Sequence, residues 1–313
     1  MPDGIPLLYW LAGALASTWT AVRYWRRRRE NITRSHLATF SPLREIGAFK
    51  ESLPLFFPGT VRQNHAVLLL HGYSASTEEF QLLSDCLRRQ QTPHFAPMLT
   101  GFGLTDLHLL YPVQASDWLR DAVNAFDLLA GLANTISVVG HSHGGTLALL
   151  LAQHRPVHHL ILTGPNIVSS KSDRRYKKLL GTPLISHCVS SLLPMVLKPR
   201  RRGRQRNTDT LHQQSARRCF HYPAVPTASL RVLWEMQDMI DIAQAEFHRL
   251  TLMYGEKDQT IDIPAIKAYF QQRYIPHQTF VWPNSAHNIL EEHDREEVAR
   301  TITEILASDH PET

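Results

Sequence analysis

The stretch ISVVGHSHGGTLALLLA, residues 136–152, decides the fold of this chain. Its first four residues are rich in β-branched side chains, which is typical of a short strand buried on both faces. Its last seven are good helix formers without Pro or Gly. Between them lies G-H-S-H-G, residues 140–144, where a strand has to bend at once into a helix. Side chains flanking such a bend would collide, so the pattern predicts a strained turn with Ser142 at its apex.

Ser142 is a candidate nucleophile, because the helix behind it directs its dipole and free N–H groups at any anion formed there. A serine hydroxyl needs a base that takes its proton and a third group that orients this base. The candidate base is His287, in a polar loop after the last predicted strand. The candidate acids, Asp258 with Glu256 and Asp262 as rivals, follow an earlier strand. Catalytic groups of open α/β sheets gather beyond the carboxyl ends of strands, which fits these positions.

Acyl transfer also requires at least two N–H donors that face the developing oxyanion. The first candidate is the backbone N–H of His143, directly after the proposed nucleophile. The second is the backbone N–H of Tyr73, in the loop after the apolar strand predicted at residues 66–70. Gly72 allows that loop to approach the serine closely.

Predicted strands alternate with predicted helices along most of the chain. This alternation predicts an α/β fold with a mostly parallel central sheet and helices on both faces. The strands are expected at residues 66–70, 94–98, 136–139, 158–162, 250–254 and 279–282. The helices are expected at residues 78–90, 116–132, 146–152, 264–272 and 294–307.

One long insertion interrupts this alternation. Residues 166–246 contain several prolines and apolar helical segments, and they are too long for a loop, so we expect a helical cap. The core is then formed by residues 61–165 and 247–313. Residues 31–60 are expected to be a linker and lead-in, and residues 1–30 a separate N-terminal segment.

The N-terminal segment carries an uncharged run, residues 5–22, followed by RYWRRRR, residues 23–29. The length and the flanking arginines predict a single membrane-spanning anchor, with the catalytic domain on the cytoplasmic side. Ser17, Thr18 and Thr20 weaken the run, so an interfacial or packed amphipathic helix is the alternative.

The net charge of +5 is concentrated in two arginine clusters, residues 23–29 and 200–206. Such clusters fit an anionic membrane or nucleic acid, but no nucleic-acid-binding motif accompanies them, and we expect no nucleic-acid partner. Three widely spaced cysteines predict no disulfide framework and fit a reducing compartment. The 18 histidines show no metal-ligand spacing, and neither a metal nor a cofactor is expected.

Taken together, these motifs resemble the α/β-hydrolase superfamily, in particular its monoacylglycerol-lipase-like and bacterial carboxylesterase-like members. The resemblance covers roughly residues 66–306, and it rests on LLLHGYSAS (68–76), PMLTGFG (97–103), VVGHSHGG (138–145), YGEKD (254–258) and NSAHN (284–288). It implies hydrolysis of a carboxylic ester through an acylated serine. It also favours Asp258 as the acid, because this residue stands at the family's G-x-x-D position.

Two other classes of function remain open. The first alternative to ester hydrolysis is a non-catalytic protein of this fold that binds a lipid or a partner. The second is a thioesterase, acyltransferase or aminopeptidase with the same triad. The apolar cap residues are expected to roof a narrow apolar pocket that selects short to medium acyl or monoacylglycerol-type esters over long triacylglycerols. They are Leu192, Leu193, Met195, Val196, Leu197, Leu230, Leu233, Trp234 and Met236.

Overall fold

The computed structural model describes residues 7–60, 63–170, 174, 176–178, 182–198 and 209–309. The second arginine cluster, residues 200–206, lies outside these ranges. The helices are α1 Leu7–Leu37, α2 Gln81–Arg89, α3 Ala115–Ala130, α4 His143–Ala152, α5 Pro183–Leu192, α6 Gln213–Arg218, α7 Thr227–Met239, α8 Ile263–Gln271 and α9 Arg295–Ser308. The strands are β1 Pro42–Leu43, β2 Ala48–Phe49, β3 Leu55–Phe57, β4 Gln63–Leu70, β5 His94–Ala96, β6 Ala133–His141, β7 Val157–Thr163, β8 Met195–Leu197, β9 Ala224–Pro226, β10 Phe247–Gly255 and β11 Gln278–Trp282.

Seven strands form one sheet in the order β11-β10-β7-β6-β4-β5-β3. Every neighbouring pair is parallel except β3, which runs antiparallel to β5 at the edge. Strand β6 lies in the middle, between β4 and β7. The loops that follow β4, β6, β7, β10 and β11 therefore all emerge at the same edge of the sheet, with the turn after β6 at the centre.

The sheet separates two apolar cores, and β4 illustrates how. Leu68 and Leu70 belong to one core, whereas Val67 and Leu69 belong to the other, and all four are fully buried. This alternation follows from the two-residue period of a strand. Each such side chain contributes roughly 1.5–3 kcal/mol by its burial. Helices α3 and α4 pack on the first face and helices α2 and α9 on the second.

The segment between β7 and β10 is the predicted cap, and its described part contains α5, β8, α6, β9 and α7. Strands β8 and β9 pair with each other in an antiparallel ribbon. Helix α7 packs on α3 and α4 of the core, and its Val232 and Met236 join the same apolar cluster as Leu147. Part of the apolar surface of this segment is therefore used to attach it to the core.

The predicted membrane anchor is wrong. Among the residues described, no helix is both long enough and apolar enough to cross a bilayer. The first residues of the predicted span lie outside this part of the chain. The rest belongs to α1, where Gly13, Ser17, Thr18 and Thr20 dilute the apolar side chains below what a bilayer core requires. The cytoplasmic location predicted for the remaining chain loses its basis, because it depended on that span.

Helix α1 instead continues through the arginine cluster and contacts the cap. The guanidinium of Arg29 donates a hydrogen bond to the Met195 carbonyl oxygen at 2.6 Å. The ring Nε2 of His36 lies 3.0 Å from the His221 carbonyl oxygen. Phe40, just after the helix, packs edge-on against Phe220. The C-terminal half of α1 is thus held against the cap by polar and aromatic contacts.

Candidate active site

Ser142 stands alone between the end of β6 and the first residue of α4. Its backbone has φ 52° and ψ −112°, a conformation that side-chain-bearing residues rarely adopt. Its backbone N–H donates to the Thr163 carbonyl oxygen at 2.9 Å, which ties the turn to the end of β7. Strain of this kind persists only where the surrounding structure fixes it, and it is typical of functional sites.

The flanking glycines are required by close approaches of the backbone. A Cβ atom at Gly140 would lie 2.4 Å from the Gly144 carbonyl oxygen, and one at Gly144 would lie 1.9 Å from the Leu70 carbonyl oxygen. Real side chains essentially never come so close to backbone atoms. The G-x-S-x-G pattern therefore follows from the packing of the turn against itself and against β4.

Three of the residues proposed from the sequence meet at this turn. The Nε2 atom of His287 lies 2.9 Å from Ser142 Oγ, and its Nδ1 atom lies 2.8 Å from Asp258 Oδ2. Because Nδ1 faces a carboxylate, we assign the ring proton of neutral His287 to this nitrogen, so that Nε2 accepts from the serine hydroxyl. The side chain of Asp258 is fully buried, and Ser142 is 9% exposed.

The loop after β10 holds the carboxylate of Asp258 in place. Its second oxygen accepts backbone N–H groups from Thr260 at 2.7 Å and Ile261 at 3.1 Å. Burial by itself would raise the pKa of Asp258, but the charge and hydrogen bond of His287 and these two N–H groups outweigh it. The pKa of this carboxyl is therefore lowered, and Asp258 is ionised at neutral pH.

The rival acids have other surroundings. Asp262 Oδ1 accepts the backbone N–H of Ala265 at 3.2 Å, so this side chain caps the start of α8. Glu256 is exposed. Of the three candidates, only Asp258 has a hydrogen bond to His287 in the part of the chain described.

The two residues proposed for the oxyanion site belong to the first turn of α4 and to the loop after β4. His143 is the first residue of α4, where backbone N–H groups have no acceptor within the helix. Tyr73 follows Gly72, and a Cβ atom at Gly72 would lie 3.5 Å from Ser142 Cβ. The absence of that atom lets the loop after β4 approach the serine, which is compatible with the proposed role of the Tyr73 N–H.

Three other histidines near the turn are buried and neutral. His71 Nδ1 donates to the Gly72 carbonyl oxygen at 2.9 Å, and its Nε2 accepts the Leu99 N–H at 3.2 Å, so this ring links two loops. Burial lowers the pKa of His71 to about 4 and the pKa of His141 and His143 to about 3. The nearby His287 also disfavours a charge on His141. The ring of His287 thus has an uncharged imidazole, that of His141, at 5.0 Å between ring centroids.

The cavity lined by Ser142 is small, and both polar and apolar side chains line it. Its volume is about 100 Å³, far below the roughly 300–1,000 Å³ of pockets for drug-sized ligands. None of the nine apolar cap residues expected to roof it contributes to its lining, so the predicted apolar roof is not found here. Instead its wall includes the polar side chains of Glu79, His141, Lys198, Asp209, Asn288 and Glu291.

Most residues of the polar wall could not be recognised from the sequence. Glu79 reads as an ordinary first-turn acid of an amphipathic helix, yet it is buried and its Oε1 accepts the Gly72 N–H at 2.7 Å. Lys198 opens the basic tract KPRRRGRQR and would pass for a solvated charge. Asn288 directly follows the candidate base, and only this position in the sequence connects it with the site. Among the described residues, no group of His, Cys, Asp and Glu side chains is arranged to hold a metal ion.

Comparison with known proteins assigns the class and then the family. The fold is that of the α/β-hydrolases, as predicted, with the mostly parallel sheet and the turn at Ser142 in the expected places. The model of the family described as "Serine aminopeptidase, S33" matches residues 62–294, and this chain belongs to that family.

Several individual proteins are similar. A thermostable monoacylglycerol lipase from Bacillus sp. (strain H-257) is 31% identical over 90 residues, which are 29% of this chain and 36% of the length of that relative. The monoacylglycerol lipase of Paleococcus ferrophilus superposes with a TM-score of 0.65 at 15% identity, over 82% of this chain and 98% of that structure. A monoglyceride lipase from Saccharomyces cerevisiae gives a TM-score of 0.63 at 17% identity, over 83% and 92%. The structural likenesses establish the fold.

Proposed function

We propose that this protein is a serine hydrolase that cleaves carboxylic esters through an acyl-enzyme intermediate. In this proposal Ser142 is the nucleophile, His287 the general base and Asp258 the residue that orients His287. The observation that carries the proposal is the continuous hydrogen-bonded chain from Ser142 Oγ through the imidazole to a buried carboxylate, with distances of 2.9 and 2.8 Å. A purely binding protein has no need of this chain or of the strained serine.

Each proposed step moves one proton through His287. As Ser142 Oγ attacks the acyl carbon, its proton passes to Nε2, and the N–H groups of Tyr73 and His143 stabilise the oxyanion. The intermediate collapses, and the departing alcohol takes the proton from His287. Water then gives a proton to Nε2 and attacks the acylated serine, and the second collapse returns Oγ–H and releases the carboxylic acid. Ionised Asp258 stabilises the imidazolium at both stages.

The size of the cavity favours a short acyl group. A volume of about 100 Å³ accommodates only a few heavy atoms, so long chains would have to extend outside it. The similarity to monoacylglycerol lipases supports esters of monoacylglycerol type as one substrate class. The description of the family as serine aminopeptidases makes amide hydrolysis the alternative to be tested beside it.

The proposal is tested with 4-nitrophenyl esters of two to twelve carbons, 2-monoacylglycerols of the same chain lengths and aminoacyl 4-nitroanilides. We expect hydrolysis of the esters, fastest for short chains, by the unaltered protein and none above background by Ser142→Ala. Comparable thermal unfolding of both proteins would exclude loss of the fold as the cause. Preferred cleavage of the anilides would replace ester hydrolysis by aminopeptidase activity, and an active Ser142→Ala variant would contradict the mechanism.

A further inference from the structure

Lys198 brings an ammonium group to the cavity that contains Ser142. It directly follows β8, and its backbone N–H donates to the Pro223 carbonyl oxygen at 2.9 Å. Its Nζ atom donates to the hydroxyl of Ser74 at 2.9 Å. Ser74 is fully buried, lies two residues after Gly72 and has φ 62°. A second serine with a positive φ, in the loop after β4, thus binds the ammonium group.

Among the described residues, this ammonium group forms no ion pair with a carboxylate, although Glu79 lines the same cavity. It has three N–H donors, and within the described parts of the chain its hydrogen bonding is limited to one neutral hydroxyl, without an ion pair to a carboxylate. Burial lowers the pKa of Lys198 to about 8, against the opposite influence of Glu79. Burying a cation without an ion pair is costly, and an anionic ligand in the cavity would supply the opposite charge.

The acidic side chains of the cavity are engaged elsewhere. Glu79 accepts the Gly72 N–H, and Glu291 accepts the thiol of Cys219 at 2.9 Å. Burial raises the pKa of both glutamates, which favours their neutral forms and weakens their repulsion of an anion. The carboxylate of Asp209 accepts the Gln259 N–H at 2.7 Å and the Thr260 hydroxyl at 2.9 Å.

Asn288 adds a second incompletely bonded polar group to this cavity. Its Oδ1 is buried without a hydrogen-bond partner, and its Nδ2 is 3.5 Å from Glu79 Oε2, at the limit of a hydrogen bond. Because the two ends of an amide are assigned from such contacts, either end is available to a ligand. The wall beside Ser142 therefore offers a cation and an amide to a small polar group.

We propose that Lys198 determines specificity by binding a carboxylate carried on the acyl part of the substrate. The enzyme would then hydrolyse half-esters of short dicarboxylic acids in preference to neutral esters of the same length. The ammonium group binds the free carboxylate while Ser142 attacks the ester carbonyl, and Asn288 donates a further hydrogen bond. This inference rests on the proposed ester hydrolysis at Ser142.

The test compares monoethyl glutarate with ethyl pentanoate, which has the same acyl length without the charge, by the release of ethanol. The quantity of interest is the ratio of kcat/KM for the half-ester to kcat/KM for the neutral ester. In Lys198→Met this ratio should fall roughly 10- to 100-fold, the range expected for the loss of a hydrogen bond to a charged group. Lys198→Arg should retain part of it. Lys50→Met, which removes an exposed lysine, should leave it unchanged.

Hydrolysis of ethyl pentanoate reports on folding and on the triad in every variant. Free glutarate should inhibit the unaltered protein competitively and lose this effect in Lys198→Met. Equal ratios in the unaltered protein and Lys198→Met, with ethyl pentanoate still hydrolysed, would overturn the role of Lys198 and leave the proposed function intact. If the unaltered protein hydrolysed neither ester, the proposed function itself would fail.

Discussion

Replacing Asp258 by Asn should disable His287 by moving its ring proton from Nδ1 to Nε2. In the unaltered chain Oδ1 accepts the N–H groups of Thr260 and Ile261, and Oδ2 accepts Nδ1–H of His287. An asparagine has a single oxygen, and facing its amide nitrogen to two backbone N–H groups would place donors against donors. The oxygen therefore stays with Thr260 and Ile261, and the NH₂ group faces His287.

The consequence is the wrong tautomer. Nδ1 must then accept, so the ring proton moves to Nε2, which points at Ser142 and no longer takes the hydroxyl proton. The same change in a well-studied serine protease lowers kcat about 10,000-fold. For this enzyme we expect a similar fall, equivalent to about 5 kcal/mol of transition-state stabilisation. Because both backbone N–H groups keep an acceptor, the free energy of unfolding should change by only about 1 kcal/mol.

The assay is steady-state hydrolysis of 4-nitrophenyl butyrate, with urea unfolding measured in parallel. Asp262→Asn is the matched control, because an asparagine still caps α8 and this side chain has no hydrogen bond to His287 among the described contacts. We expect its kcat to stay within about twofold. A fall of less than tenfold in Asp258→Asn, or a larger fall in Asp262→Asn, would refute the assignment of the acid.

Two further predictions concern the turn and its buried histidines. Gly144→Ala forces a Cβ atom to within 1.9 Å of the Leu70 carbonyl oxygen, so the midpoint of thermal unfolding should fall by about 5 °C or more. Gly13→Ala is the control, because its Cβ would meet open space, and its midpoint should not fall. The folded protein keeps His143 neutral down to about pH 3, but the unfolded chain binds a proton below its ordinary pKa of 6.5. The free energy of unfolding should therefore decrease as pH falls from 6.5 to 4, and His143→Asn should reduce that slope by about 1.4 kcal/mol per pH unit in urea titrations. An unchanged slope or an unaffected Gly144→Ala midpoint would contradict the described packing.

The sequence was sufficient for the core of the fold because its strands are buried on both faces. A strand such as β4 then has a continuous apolar run, Ala66 to Leu70, in its sequence. Such a run can be recognised without knowing which segments pack around it. The positions of Ser142, Asp258 and His287 followed from the same logic, since each directly follows or lies beyond such a run. The structure brings the three together, while their catalytic roles stay predictions.

The N-terminal helix shows the limit of reading hydropathy from one segment. The uncharged run ending at Val22 resembles a membrane span in length, but small and hydroxyl side chains make up much of it. In α1 the hydroxyls of Thr18 and Thr20 donate to the carbonyl oxygens of Ala14 and Ala16, one turn earlier. The contacts of the same helix with the cap, through Arg29 and His36, depend on residues far along the chain. Nothing local to the segment indicates them.

The character of the cavity was unpredictable for a similar reason. Apolar cap residues such as Met236 were expected above the serine, but α7 turns them toward the core. Lys198 was part of an arginine-rich tract, and its place in the cavity depends on the pairing of β8 with β9 and on the strained loop at Ser74. The contact between Lys198 and Ser74 joins residues that are 124 positions apart in the chain.

The central claim is that Ser142 carries the acyl group during turnover. The direct measurement is rapid acid quenching of the protein with excess 4-nitrophenyl butyrate, followed by mass spectrometry of the intact chain and of its peptides. We predict one butyryl group per chain, located on Ser142, together with a burst of 4-nitrophenol of the same amplitude. A butyryl group on another residue, or an undiminished burst in Ser142→Ala, would contradict the account.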